Sequence, residues 1–285
     1  MLEGLKGRGI PVAGRMLTWS LLAALAIGVL FPFYWLLMTS FKPMDEVWAY
    51  PPLFFPRRFM GLANYQEVIR RVPVAQFYGN SLYVGAARTL ATLFTCSLVG
   101  YVFAKFEFRA KQTLFVLILA TMMVPATVTL IPYFILFRDL GLLNSLTAVI
   151  VPGLTSASGI FMVRQYMESV PNELIAAARI DGCGEFRIYA GVVLPLCKPV
   201  LSALGIFTFM NSWNDFLWPL LVLRDKHLLT LPVGLNMFAG TMMRQQQWVH
   251  LAMAFASMAV LPGLLVFLVG QRQFVEGIAL TGMKG

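Results

Sequence analysis

Charge is what this 285-residue chain has least of: Asp, Glu, Lys and Arg together make up 12% of it, against roughly 25% in a soluble domain. Cysteine is scarce too. Cys96, Cys183 and Cys197 show no metal-ligand spacing and are too few for a disulfide scaffold, which reads as free thiols in a reducing compartment. His227 and His250 sit at the ends of apolar runs without metal-like neighbours. No G-x-x-x-x-G-K-[ST] phosphate loop occurs, so the chain has no such device for holding ATP. The apolar runs carry no nucleophile–base constellation, which argues against an enzyme. No basic helix or aromatic–basic platform appears, so the net charge of +9 points to membrane topology and headgroup contact rather than nucleic acid.

What the chain has in abundance is hydrophobic sequence, 59% of all residues. Six runs approach or exceed the ~20 residues needed to cross a hydrocarbon core: Met16–Met38, Phe77–Phe103, Thr113–Phe137, Leu146–Met162, Val200–Leu223 and Val249–Gly270. Lipid cannot satisfy open backbone groups, so the fold class is all-α with six membrane helices. The first run is preceded by Lys6, Arg8 and Arg15 but continues through PFYWLLM, too long for the ~7–15-residue core of a signal peptide. It reads as a retained helix. An inside N-terminus and C-terminus place twelve Lys and Arg inside and nine outside, and the three bases of Ala104–Gln112 favour that orientation. Pro125, Pro132 and Pro262 are expected to kink the third and sixth helices.

One polar loop stands apart, VPNELIAAARIDGCGEFRIYAGVVLPLCKP from Val170 to Pro199. Ser169 or Asn172 is placed to cap a helix there, with Pro171 in a first-turn position. Glu173 and Arg179 suit the two ends of the helix dipole. Gly182 suits the left-handed residue that ends a helix. Ala176, Ala177 and Ala178 present a narrow face that another backbone can approach. The loop reads either as an interfacial helix lying on the bilayer or as a docking element.

A second polar cluster lies inside the fifth run. Asn211, Asn214 or Asp215, and Trp218 fall on one face at helical spacing. A carboxylate at membrane depth costs about 2.5–3.5 kcal/mol on insertion scales and therefore faces a partner or a cavity. Amides, a carboxylate and a flat ring suit a polyol. The competing readings are interhelical hydrogen bonding for the polar groups and an interface anchor for Trp218. Arg88 is the other intramembrane charge. It either pairs with Asp215, lines a cavity, or snorkels toward the outer end.

The polar loop resembles the EAA loop of ABC importer membrane subunits, whose pattern is E-A-A, three variable residues, a glycine and, further on, I-x-L-P. Here Ala176-Ala177-Ala178, Arg179-Ile180-Asp181, Gly182 and Val192-Val193-Leu194-Pro195 align with it. Ala176 stands where the family has glutamate, and Glu173 lies one turn earlier. PFYWLLMTSFKPMDEVWAYPP, MMVPATVTLIPYFILFRDLGLLNS, SGIFMVRQYMESVPNEL, NSWNDFLWPLLVLRD, LTLPVGL and QRQFVEGIALTGMKG resemble, in order, the carbohydrate branch of that family, the maltose-type permease subunits.

The resemblance implies a type I ABC importer permease fold in the cytoplasmic (inner) membrane of a prokaryote. Residues 1–15 are then a cytoplasmic N-terminus and 16–285 a single permease domain, with an inner coupling loop at 163–199 and outer loops at 39–76 and 224–248. It implies a second permease subunit, a dimer of ATP-binding cassette subunits that binds ATP and Mg, and an extracytoplasmic sugar-binding protein. Glu173, Ala176, Ala177, Ala178, Asp181, Gly182, Leu194 and Pro195 become the ATPase-coupling residues. Asn236, Met242, Arg244 and Gln245, in the outer loop Leu228–Trp248, become contacts to the binding protein. The substrate implied is a mono- to oligosaccharide, with a sugar alcohol or a glycerol phosphate as alternatives. A secondary transporter driven by an ion gradient is the other transport class. It normally shows internal repeats and midplane carboxylates, and this chain offers only Asp215.

Overall fold

The computed structural model describes residues 12–244 and 248–282. Among the described residues every regular element is helical. Two compact units emerge: one comprises the N-terminal part through Val72 with Phe238–Met258, the other Pro73–Met237 with the chain from Ala259 onward.

In the first unit, α1 (Val12–Ser40) carries an apolar span, Gly14–Ser40, with none of its apolar stretch buried against the rest of the chain. An all-round apolar helix without protein cover belongs against lipid or another subunit. The segment after it folds back on polar bonds. Asn64, in α3 (Ala63–Arg71), donates to the carbonyls of Ser40 and Lys42 at 2.8 and 2.9 Å. Glu46, in the short α2 (Met44–Val47), accepts from the backbone of Arg57 and Arg58 at 2.8 and 2.9 Å. Lys42 is buried, donates to Leu53 O and stands 4.4 Å over the Trp35 ring. Burial pushes its pKa below the ordinary lysine value, with Glu46 opposing. Each buried charge thus has a partner, as burial requires.

The second unit is organised around α4 (Val74–Lys105), a 32-residue helix against which α8 (Ala157–Glu168) and α12 (Lys198–Trp213) pack most extensively. Small residues set the closeness. A Cβ on Gly100 would stand 3.0 Å from Val163 Cγ1 and 3.2 Å from the backbone nitrogen of Arg164. Such small-residue contacts let membrane helices approach where no hydrophobic effect drives them together.

The six runs do not all become single straight helices. α1, α4 and α15 (Val249–Gly282) are continuous, with candidate spans at Gly14–Ser40, Val74–Lys105 and Val249–Val266. The third run divides into α5 (Lys111–Ala120), a 3-10 turn at Thr121–Met123 and α6 (Ala126–Asp139), bent by 97°. Pro125 has no N–H to continue the ladder and starts the new helix instead. The fourth divides into α7 (Leu146–Ile150), a 3-10 turn at Val151–Gly153 containing Pro152, and α8, bent by 42°. The carbonyls freed there are not left open. Thr92 and Thr95 of α4 donate to Gly153 O and Leu154 O, both at 2.7 Å. The Cys96 thiol reaches Ser156 O at 3.4 Å. These bonds allow irregular backbone at membrane depth.

The fifth run ends as α12 at Trp213 and restarts as α13 (Leu217–Val222). An uninterrupted helix would place Pro219 in its interior; the restart puts it in a first turn. The expected outer loop Leu228–Trp248 is for the most part a helix, α14 (Leu231–Arg244). Pro232 in its first turn and the run of Leu, Met and Ala explain this better than a surface loop does.

Candidate functional site

The polar loop forms a short helix, α9 (Asn172–Ile180), followed by α10 (Glu185–Ile188), a π-helical turn at Tyr189–Val193 and α11 (Leu194–Leu196). Gly182 has φ +79°. Gly182 N donates to Arg179 O and Cys183 N to Ala178 O, both at 3.0 Å. That pair of bonds is a Schellman closure, which requires a left-handed residue at the glycine position. The expected N-cap is not made. Pro171 occupies that position without a side-chain bond. Ser169 Oγ donates to Tyr166 O, and Asn172 Oδ1 accepts from Lys105 Nζ at 2.9 Å. The tertiary contact to a cation outcompetes the local cap.

The π-turn also has a local cause. In a regular helix the Pro195 ring would clash with the carbonyl of Gly191, four residues earlier, and a widened turn avoids that clash. After it the chain bends by 81° between Glu185–Leu196 and α12, with Cys197 N shared between Val193 O and Leu194 O at 3.1 Å each.

Four fastenings hold this loop to the C-terminal end of α4. Lys105 Nζ donates to Val170 O at 2.6 Å as well as to Asn172. Tyr101 OH donates to Glu185 Oε2 at 3.2 Å. Ser97 and Tyr189 share a hydroxyl bond of 2.7 Å. Ile175, Ile188, Val193 and Cys197 are buried in a cluster with Cys96, Tyr101, Val163 and Met167. Arg179 Nε donates to Glu185 Oε1 at 2.7 Å, closing α9 onto α10. That bond raises the Arg179 pKa and lowers that of Glu185.

The outer face of the loop is exposed and largely apolar. Ile180 is 87% accessible and Phe186 68%. Glu173, Leu174, Ala176, Ala177, Asp181, Gly182 and Pro195 are exposed, and Ala178 and Leu194 partly buried. A Cβ on Gly182 would meet nothing within 4 Å. The result is a stiff apolar knob with a charged rim.

The polar cluster of the fifth run is assembled differently from expectation. Arg88 Nη1 lies 2.8 Å from Asp215 Oδ2, their side chains 18% and 22% accessible. Asn211 and Asn214 are exposed, with Asn214 Nδ2 donating back to Met210 O at 2.9 Å. Trp218 does not share their face. Beyond the break at Asn214–Phe216 it is 8% accessible and donates to Ala148 O at 2.9 Å. Phe137 and Tyr133 stand edge-on to it, with centroids at 5.5 and 6.3 Å. Helical spacing failed because the helix is not continuous. A cavity of about 650 Å³ lies elsewhere, between α4, α12 and α15. It is lined by Leu93, Lys198, Leu201, Ser202, Ile206 and Leu265 among others, and by none of the four predicted pathway residues.

Of the predicted outer contacts, Asn236 is exposed on α14. Met242 and Arg244 fall in its last turn, and Gln245 lies outside the described residues. Among the described residues no group of three or more His, Cys, Asp or Glu could hold a metal.

Sequence reasoning missed the fastenings Ser97, Tyr101, Lys105 and Glu185, and the close approach of the Arg88 guanidinium to Gly153, where a Cβ would collide with it. The recurrence of Ser, Thr and Tyr along one face of α4 was the available signal for the first. The adjacent Pro152 was the signal for the second.

A bent, hydroxyl-satisfied helical core with a rigid knob between its fourth and fifth spans is the frame of an importer permease. Residues 97–279 match the family model described as binding-protein-dependent transport system inner membrane component. The chain belongs to that family. It is 37% identical over 263 residues to the arabinooligosaccharides transport system permease protein AraQ of Bacillus subtilis (strain 168), covering 92% of each chain. It is 32% identical to the lactose transport system permease protein LacG of Rhizobium radiobacter, covering 91% of this chain and 93% of that one. Its fold matches a bacterial ABC transporter involved in the import of the acidic polysaccharide alginate, with TM-score 0.83 and 24% identity over 94% of this chain and 99% of the other. The protein is accordingly a multi-pass inner-membrane transport subunit and not an enzyme. ATP hydrolysis belongs to a separate subunit.

Proposed function

We propose that this chain forms half of the translocation pathway of a sugar importer and that its α9 knob is the element through which ATP hydrolysis moves it. The observation that carries this reading is the knob itself. An apolar, exposed tip (Leu174, Ile180 and Phe186) is held by charged and hydroxyl bonds to a membrane-spanning helix. Such a tip in water is costly unless a partner covers it, and its stiff mounting passes force to α8 and α12. Two such knobs, one from this chain and one from a second permease, sit on a pair of ATP-hydrolysing subunits that bind ATP and Mg. An extracytoplasmic binding protein delivers the solute. The N- and C-termini lie inside, on the same side as the knob.

The substrate class proposed is a neutral mono- to oligosaccharide. The arabinooligosaccharide and lactose names of the relatives support it, as does the pairing of Arg88 with Asp215, which leaves no free cation in this cluster for a phosphate. Asn211 and Asn214 are the proposed sugar contacts. Asp215 acts through Arg88, and Trp218 packs the outer half. Asn236, with Met242, Arg244 and Gln245, is proposed to meet the binding protein.

The test is purification of the tagged chain in mild detergent, followed by sugar uptake in vesicles. Recovery of a second permease and an ATPase, with uptake that requires ATP, is the expected result. A lone chain that takes up sugar on an ion gradient without ATP overturns the reading.

A further inference from the structure

The second unit has an internal fault line that no sequence motif announced. On its outer side α6, α7 and α13 form one cluster. Trp218 of α13 bonds Ala148 of α7 and packs against Phe137 and Tyr133 of α6. Asn144 N donates to Val222 O at 2.7 Å, and Asn144 Oδ1 accepts from Arg224 N and Asp225 N at 2.9 and 2.8 Å. On its inner side α8, the knob and α12 share the core around Val163, Ile175 and Val193. Two breaks separate these clusters, at Val151–Ser156 between α7 and α8 and at Asn214–Phe216 between α12 and α13.

Arg88 meets both breaks. It lies near the middle of α4. Its guanidinium pairs with Asp215 in the second break at 2.8 Å. The same guanidinium lies against Gly153 in the first: a Cβ on that glycine would collide with Nε, Cζ and Nη2 of Arg88. The neighbouring carbonyls are held to the same helix by Thr92 and Thr95. One charged side chain therefore ties both breaks to α4, which is itself continuous, at a depth where an unpaired charge is unfavourable.

We infer that Arg88 is a positioning residue that pins the two breaks together, so that movement of the α8–knob–α12 cluster is transmitted to the α6–α7–α13 cluster. This rests on the proposed coupling role of the knob. With the pin intact, the outer cluster must rearrange when the knob moves, and ATP turnover waits for the binding protein. With the pin lost, the inner cluster moves alone.

The experiment uses the whole importer in lipid nanodiscs and reads ATP hydrolysis with and without its binding protein. Arg88→Gln, Asp215→Asn and Gly153→Ala are compared with the charge swap Arg88→Asp/Asp215→Arg. Gly153→Ala displaces Arg88 while keeping both charges. The three single variants should retain the ATPase subunits yet lower the stimulated-to-basal ratio about tenfold, within the usual range for coupling between sites. The swap should restore much of that ratio, which a purely structural role does not require. A wild-type ratio in all three single variants overturns the inference. So does equal loss of assembly in the single variants and the swap, which marks a folding contact only. Wild-type complex that retains no ATPase subunit overturns the coupling reading itself, an outcome visible before any variant is made.

Discussion

The knob and the Arg88–Asp215 cluster are both polar interruptions in an apolar chain, and they are built by opposite rules. In the knob the local sequence decides most of the geometry: Pro171 starts the helix, Gly182 ends it at φ +79°, and Pro195 widens the turn that follows. Tertiary bonds then fix its attitude. In the Arg88–Asp215 cluster local sequence decides little. Arg88, Gly153 and Asp215 are far apart in the chain and acquire meaning only through packing on α4. Local devices build an exposed part, whereas non-local devices join parts within the chain.

The largest expected effect breaks the knob. Gly182→Trp imposes a left-handed φ on a bulky residue, a cost of about 1–3 kcal/mol, and puts the ring on the exposed face proposed for docking. ATP-dependent uptake should be lost while the protein still inserts. Membrane yield and uptake, measured together, check this. Next comes the attachment. Lys105→Met removes two bonds from an ammonium, each worth roughly 1.5–3 kcal/mol. Hydrogen exchange at Val170–Cys183 should accelerate with little change along α12.

On the other side of the comparison, Trp218→Phe removes the bond to Ala148 O, about 0.5–1.5 kcal/mol. It should lower the melting temperature and leave the apparent sugar affinity unchanged. Asn214→Ala should do the reverse. If Trp218→Phe shifts affinity and Asn214→Ala does not, the assignment of packing to one and sugar contact to the other is wrong.

The smallest effect is a pH dependence. The Arg179 bond holds the Glu185 carboxyl below its ordinary range, so its contribution is present above the usual glutamate pKa. It is lost as pH falls through the lowered value. Because the pair is exposed, salt screens it. Exchange at Arg179–Phe186 should therefore be insensitive to pH near neutrality and rise modestly only under acid.

How much of this was legible follows the same division. The six apolar runs and the Gly182 terminus could be read directly, because each depends on neighbours close in the chain. The Ser169 or Asn172 cap was misread because Lys105, on another helix, competes for Asn172. The Asn211–Trp218 face was misread because spacing arguments assume an unbroken helix, and Pro219 and Asn214–Phe216 break it. Within the expected Leu228–Trp248 loop, Leu231–Arg244 is helical, and Pro232 in its first turn is the local signal for that start. Arg88 was left with three readings, and only packing on α4 selected the pairing.

The central claim is that the exposed tip of α9 is covered by an ATP-hydrolysing partner. A photo-crosslinking residue at Ile180, in the intact membrane of the native host, tests it most directly. The expected result is a crosslink to an ATP-binding subunit that is lost in the Gly182→Trp variant. A crosslink to lipid alone, unchanged by that variant, would contradict the claim and return the loop to an interfacial helix on the bilayer surface.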